Sequence, residues 1–148
     1  MPTTTWIVAA DASRARVYTM ETADGTPQRV EEFDNPAGRA HNRDLVHDGD
    51  GRYFGKGERN QGHTAPPGES AVEHEVELFA KRVAGYLDRA RIDHKYERLR
   101  LVAAPKFLGL LRQNLSKEVD KLVDDAIAKD VSWFDENALA DYLKQKTV

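Results

Sequence analysis

Five cations, Arg39, Arg43, Arg52, Lys56 and Arg59, lie in one polar stretch with Tyr53 and Phe54 among them and His41 and Gln61 alongside. Cationic side chains contact phosphates and aromatic rings stack on unpaired bases, so this strip has the residue types of a single-stranded RNA contact. Asp44, Asp48, Asp50 and Glu58 in the same stretch oppose that attraction. Metal chemistry fits less well. His41, His47, His63 and His74 lack the short paired spacing of a zinc site, and there is no cysteine to complete one. Asp48-Gly-Asp50-Gly resembles the opening of a calcium loop, but the later ligands are missing. Two-metal hydrolysis needs several converging carboxylates, and Asp11, Glu73 or Glu77, and Asp124 or Asp125 are the conceivable set.

The absence of cysteine also rules out disulfides, thiolate ligands and thiol nucleophiles. The 148 residues suit one domain, and a net charge of −3 gives no global attraction to nucleic acid, so any such contact must be a local patch. The first ten residues, Met1-Pro-Thr-Thr-Thr-Trp-Ile-Val-Ala-Ala10, lack the basic and long apolar regions of a signal peptide. No apolar run is long enough to span a bilayer. A cytoplasmic protein with no membrane partner is therefore expected. Phosphate-binding glycine loops and the nucleophile elbow are absent too, so neither a cofactor nor a resident metal is expected and no residue is assigned a catalytic role.

The elements that must position these residues follow from periodicity. Trp6 to Ala10 is an apolar run that ends at Asp11-Ala-Ser13, and Arg14 to Met20 alternates, with Ala15 and Val17 on one face and Arg14, Arg16 and Tyr18 on the other. A hairpin is predicted. Asp24-Gly25 and Pro27 mark a turn into a weaker, charged strand, Arg29 to Phe33, that belongs at an edge. Asn35 to Glu69 has almost no apolar periodicity and reads as a long flexible loop, the kind of segment that is usually functional or disordered.

Ser70-Ala-Val-Glu73 matches a capping box, and Val72, Val76, Phe79, Val83 and Leu87 then form one helical face. Leu99 to Ala103 reads as a buried strand feeding a helix from Pro105 to Asn114, with proline in its first turn. Leu115 to Ile127 has helical spacing. A short helix capped by Ser116, followed by a strand within Leu122 to Ala128, is the alternative, because it supplies a parallel neighbour for Leu99 to Ala103. Asp135 can cap a terminal helix striped by Leu139, Tyr142 and Leu143.

The order βββαβαβα is that of a ribonuclease H-like α/β domain, three layers around a mixed five-stranded sheet. In that topology the first and fourth strands are parallel neighbours, and ligands of open α/β sheets sit beyond the carboxyl ends of strands. Asp11, Ser13 and Arg14 would then gather near Lys106 and the start of the Pro105 helix, with Arg112 on the same helix. Open N–H groups, a helix dipole and a lysine suit a phosphate or carboxylate. The plainer reading makes Asp11 a turn residue, leaves Lys106 in solvent and pairs Arg112 with a surface acid.

Val8-Ala-Ala-Asp11-Ala-Ser-Arg-Ala-Arg16, Leu101-Val-Ala-Ala-Pro-Lys-Phe-Leu-Gly-Leu-Leu-Arg112 and Lys129-Asp130-Val131 resemble the bacterial host attachment family across essentially the whole chain. That family is grouped with release-factor-like proteins, similar to the middle domain of the eukaryotic class-1 release factor and of Pelota. The resemblance implies a ribosome or tRNA partner and a link to translation or ribosome rescue. Release factors carry a Gly-Gly-Gln tripeptide ahead of the first helix. Here the comparable stretch is Arg59-Asn-Gln61-Gly-His63, without the tripeptide, so binding without peptidyl-tRNA hydrolysis is implied. Two other readings stand beside it: a metal-dependent nuclease, which the fold raises, and an adhesion-related protein, which the family name raises.

Overall fold

The structure, a computed structural model, describes residues 3–20, 26–38, 67–129 and 134–147. A five-stranded mixed sheet is built from β1 (Thr5–Ala10), β2 (Arg14–Met20), β3 (Gln28–Asp34), β4 (Arg98–Ala103) and β5 (Val123–Ala128). Among the described residues the helices that accompany it are α1 (Pro67–Ile92), α2 (Pro105–Asn114), α3 (Lys117–Lys121) and α4 (Glu136–Thr147). The spatial order is β3-β2-β1-β4-β5. β1 pairs antiparallel with β2 and parallel with β4, which pairs parallel with β5.

Strand alternation divides the core in two. Trp6, Val8, Ala15, Val17, Leu99 and Leu101 face Val76, Phe79, Val83 and Leu87 of α1 and Phe107 and Leu111 of α2. Ile7, Ala9, Tyr18, Met20 and Val102 face the opposite way, onto Leu139 and Leu143 of α4. A side-chain period of two thus explains why β1 is buried on both faces while α4 needs only a narrow apolar stripe.

Two expectations are corrected and one open choice is decided. Ser70 does not cap α1, because the helix begins at Pro67 and Ser70 lies inside it; a proline at the first helical position is favoured, its missing N–H being unneeded there. The helical spacing of Leu115 to Ile127 is split between α3 and β5, so the order along the chain gains a short helix. Ser116 caps α3, accepting from the Val119 N–H at 3.1 Å. The Asn35 to Glu69 segment is structured at both ends: residues 36–38 form a helical turn and 67–69 belong to α1.

A bulge in β5 explains why the strand competed with a helical reading. Leu99 is level with Val123 but Arg100 with Asp125, which leaves Asp124 as the extra residue. Adjacent acids thereby meet alternate arginines, Asp124 with Arg98 and Asp125 with Arg100 at 2.9 Å. Strict alternation is broken, and with it the strand signal. At the far edge β3 is exposed along most of its length, and its charged side chains and a bulge opposite Val17/Tyr18 blunt it against further pairing.

Candidate functional site

Several chain ends meet at one edge of the sheet. The last residues of β1 and β4, Ala10 and Ala103, are level, Ala103 is level with Ala128 of β5, and Asp34 of β3 is level with Arg14 of β2. The Asp11 turn, the 35–38 segment and the start of α2 therefore leave from the carboxyl edge of the parallel strands. This is where α/β sheets place ligands.

The turn is held by its own carboxylate. Asp11, only 7% exposed, uses Oδ1 to accept from the Ser13 N–H at 2.8 Å, the Ser13 hydroxyl at 2.9 Å and the Arg14 N–H at 3.0 Å. The Asp11 N–H donates in turn to the Arg14 carbonyl at 2.8 Å, closing the hairpin. An Asx turn of this kind is the local chemistry that makes aspartate suit such a position.

A second layer was missed from sequence. Asn35, 8% exposed, donates from Nδ2 to the Ala12 carbonyl at 3.0 Å, and its N–H donates to the Ser13 carbonyl at 2.9 Å. Gly38 packs on the same Ala12–Ser13 peptide. Asn35-Pro-Ala-Gly38 is a turn signal that could have identified this segment as a brace instead of the start of a loop. The chain thus enters residues 39–66 from a fixed point on the Asp11 turn.

The remaining strand-end residues are only partly brought together. The Ala104 N–H donates to the Ala10 carbonyl at 3.1 Å, which ties the start of α2 to the end of β1. Pro105 opens α2 with no side-chain cap, and the Leu108 N–H is the first to find an intrahelical acceptor, Ala104 O at 2.8 Å. The Lys106 and Phe107 N–H groups are therefore the open donors of this helix, with the Lys106 side chain exposed beside them. Arg14 shares the face of Arg16 and Tyr18, towards α4, whereas α2 packs on the other face. The two cations thus approach the edge from opposite layers. Arg112 lies six residues beyond Lys106, about 9 Å along the helix, and pairs with Asp120 at 3.1 Å. It behaves as the plainer reading described, an exposed arginine with a surface acid.

The carboxylates considered for hydrolysis do not converge. Glu73 and Glu77 are exposed on α1, while Asp124 and Asp125 are engaged by Arg98 and Arg100. Asp125 is level with Arg100 and so with Ile7, and Asp11 lies about 13 Å further along the strand direction. Among the described residues no three His, Cys, Asp or Glu side chains form a metal-binding group. Among the same residues no helix is long and apolar enough to cross a membrane.

Arg39, His41, Arg43, Arg52, Lys56, Arg59 and Gln61, the expected RNA contacts, lie outside the described residues. So do His47 and His63 and the stretch comparable to the release-factor tripeptide.

Compared with curated proteins, the chain finds no match. A family model described as a protein required for attachment to host cells matches residues 6–143, a span that runs from β1 into α4 and takes in the whole carboxyl edge. The chain belongs to this host attachment family.

Proposed function

We propose that the chain is an RNA-binding module with a ribonuclease H-like, release-factor-like fold. It acts in the cytoplasm on the ribosome or tRNA and does not hydrolyse peptidyl-tRNA. The observation that carries this reading is the carboxyl edge. Gly38, from which the basic strip of residues 39–66 departs, is packed on the Asp11 turn, and the open N–H groups of α2 with Lys106 leave from the same edge. Cations and open N–H groups of these types attract phosphate, which supports a nucleic-acid partner at this edge. The strand order β3-β2-β1-β4-β5, with β1 and β4 parallel, supports the ribonuclease H-like reading.

The test is co-sedimentation with ribosomes from the native lysate at low salt. Release of the bound protein as salt rises is the expected result. A protein that stays in the supernatant at every salt concentration would overturn the reading.

A second reading, direct adhesion, is favoured by the family description alone. Protease treatment of intact cells separates the two. Loss of the protein under conditions that spare a cytoplasmic marker would place it on the surface, and full protection would leave attachment as an indirect consequence of its action inside the cell.

A further inference from the structure

The outer side of α1 carries a pattern that its own fold does not use. Val76, Phe79, Ala80, Val83 and Leu87 are buried against the sheet, while Leu78 and Ile92 are 43% and 57% exposed, two of the largest apolar groups left to solvent among the described residues. Gly85 lies midway between them. Steps of seven residues bring Leu78, Gly85 and Ile92 within about 20° of one line along the helix, opposite the buried face. Nothing lies within 4 Å of a Cβ placed on Gly85, so packing within the chain does not call for glycine. Glycine in a helix interior nevertheless costs about 1 kcal/mol relative to alanine.

We propose that this face of α1 is the interface between two copies of the chain, the two helices crossing antiparallel about a two-fold axis at Gly85. Leu78 and Ile92 are equidistant from Gly85, so in that arrangement each Leu78 meets Ile92 of the second copy. A pattern that is its own complement under a two-fold rotation is what an isologous interface requires. Glycine at the crossing point lets the two backbones approach closely enough for both apolar pairs to close. The surrounding charges suit the same arrangement. Lys81 faces Asp88 of the second copy, and the stretch with Glu73, Glu75 and Glu77 faces the end that carries Arg89, Arg91 and Lys95 alongside Asp93. A parallel pairing would set the glutamates against each other. Arg82 opposes Arg89, but Arg82 is drawn towards the sheet: its guanidinium lies over the Phe33 and Phe79 rings and donates to the Asp34 carbonyl at 2.9 Å.

Because the chain has no cysteine, Gly85→Cys introduces a single thiol, placed on the two-fold axis. A disulfide joins Cα atoms about 4.4–6.8 Å apart, a separation reached only where the helices cross. Wild-type protein in sedimentation equilibrium from micromolar to millimolar concentration is expected to reach a dimer. Gly85→Cys under mild oxidation is expected to form a linked dimer many times faster than Glu118→Cys, an exposed control on α3. The side chain at position 85 enters open space, so circular dichroism of the reduced variant is expected to match wild type. A monomer at every concentration, or equal cross-linking of the two variants, would overturn the proposal. A dimer that Gly85→Cys fails to link would overturn it as well, by placing the interface elsewhere.

Discussion

A Cβ built on Gly38 would lie 1.9 Å from the carbonyl oxygen of Ala12 and 2.9 Å from the amide nitrogen of Ser13. The neighbour is backbone, and it is backbone already committed: the same Ala12 carbonyl accepts from Asn35. Nothing there can swing aside. Gly38→Ala is therefore expected to destabilise the protein by about 1–3 kcal/mol, the usual range for overpacking, as read from the urea midpoint. An unchanged midpoint would mean that the 35–38 segment is not seated on the turn.

Asp11 makes the complementary test from inside the turn. Its Oδ1 serves three donors, two of them on the buried Ser13, so Asp11→Ala leaves them without an acceptor. A loss of about 2 kcal/mol is expected, with a smaller loss for Asp11→Asn, which keeps an acceptor oxygen in place. Equal effects of the two substitutions in thermal unfolding would show that charge, and not the set of hydrogen bonds, holds the turn.

At the opposite end of the sheet, Tyr96 is buried between Trp6, with ring centroids 5.0 Å apart, and the Leu87 carbonyl, to which its hydroxyl donates at 2.8 Å. Burial pushes the phenol up to about 12. The unfolded chain ionises first, so this contribution is fully present below about pH 10 and is lost as pH rises from there towards 12. Wild type is expected to lose stability across that window, with Tyr96 contributing to the loss. Tyr96→Phe should be less stable at neutral pH and show a shallower decline. Identical slopes for the two proteins would remove Tyr96 as the source.

His94 ends α1 in the left-handed region, φ 59. Its N–H donates to the Arg91 carbonyl and the Lys95 N–H to the Ala90 carbonyl, both at 2.9 Å, which is the Schellman pattern. Glycine is the usual residue at that position because it has no Cβ to crowd the backbone. His94→Gly is expected to stabilise the protein by about 0.5–1 kcal/mol, less any entropy gained by the unfolded chain. A clear fall in the melting temperature would show that the imidazole makes contacts worth more than the strain it introduces.

These elements differ in how far they could be read in advance. The β1–β2 hairpin was legible because alternation puts Val17 and Tyr18 in opposite cores, and the apolar face of α1 because Val76, Phe79 and Val83 repeat with helical spacing. β5 was ambiguous because its bulge sets Asp124 and Asp125 side by side against Arg98 and Arg100, a tertiary arrangement that erases the local period. The start of α1 was misplaced since two signals competed, the Ser70–Glu73 pattern and the proline at 67, and the proline prevailed. At the carboxyl edge Asp11 and Ser13 were legible as turn formers. At Asn35 to Gly38 the turn signal was there to be read, but the partner it seats on, Ala12, lies more than twenty residues away and leaves no local mark.

RNA binding at the carboxyl edge is tested most directly by the salt dependence of affinity for a short single-stranded RNA, followed by fluorescence anisotropy. Every cation that neutralises a phosphate adds about 0.7 to the slope of log affinity against log salt, through the counterions it displaces. Replacing Arg43, Arg52 and Lys56 together by alanine is expected to reduce the slope by about 2, and adding Lys106→Ala by about 0.7 more, with the melting temperature unchanged. No binding by the wild-type protein, or slopes that do not move with these substitutions, would contradict the account.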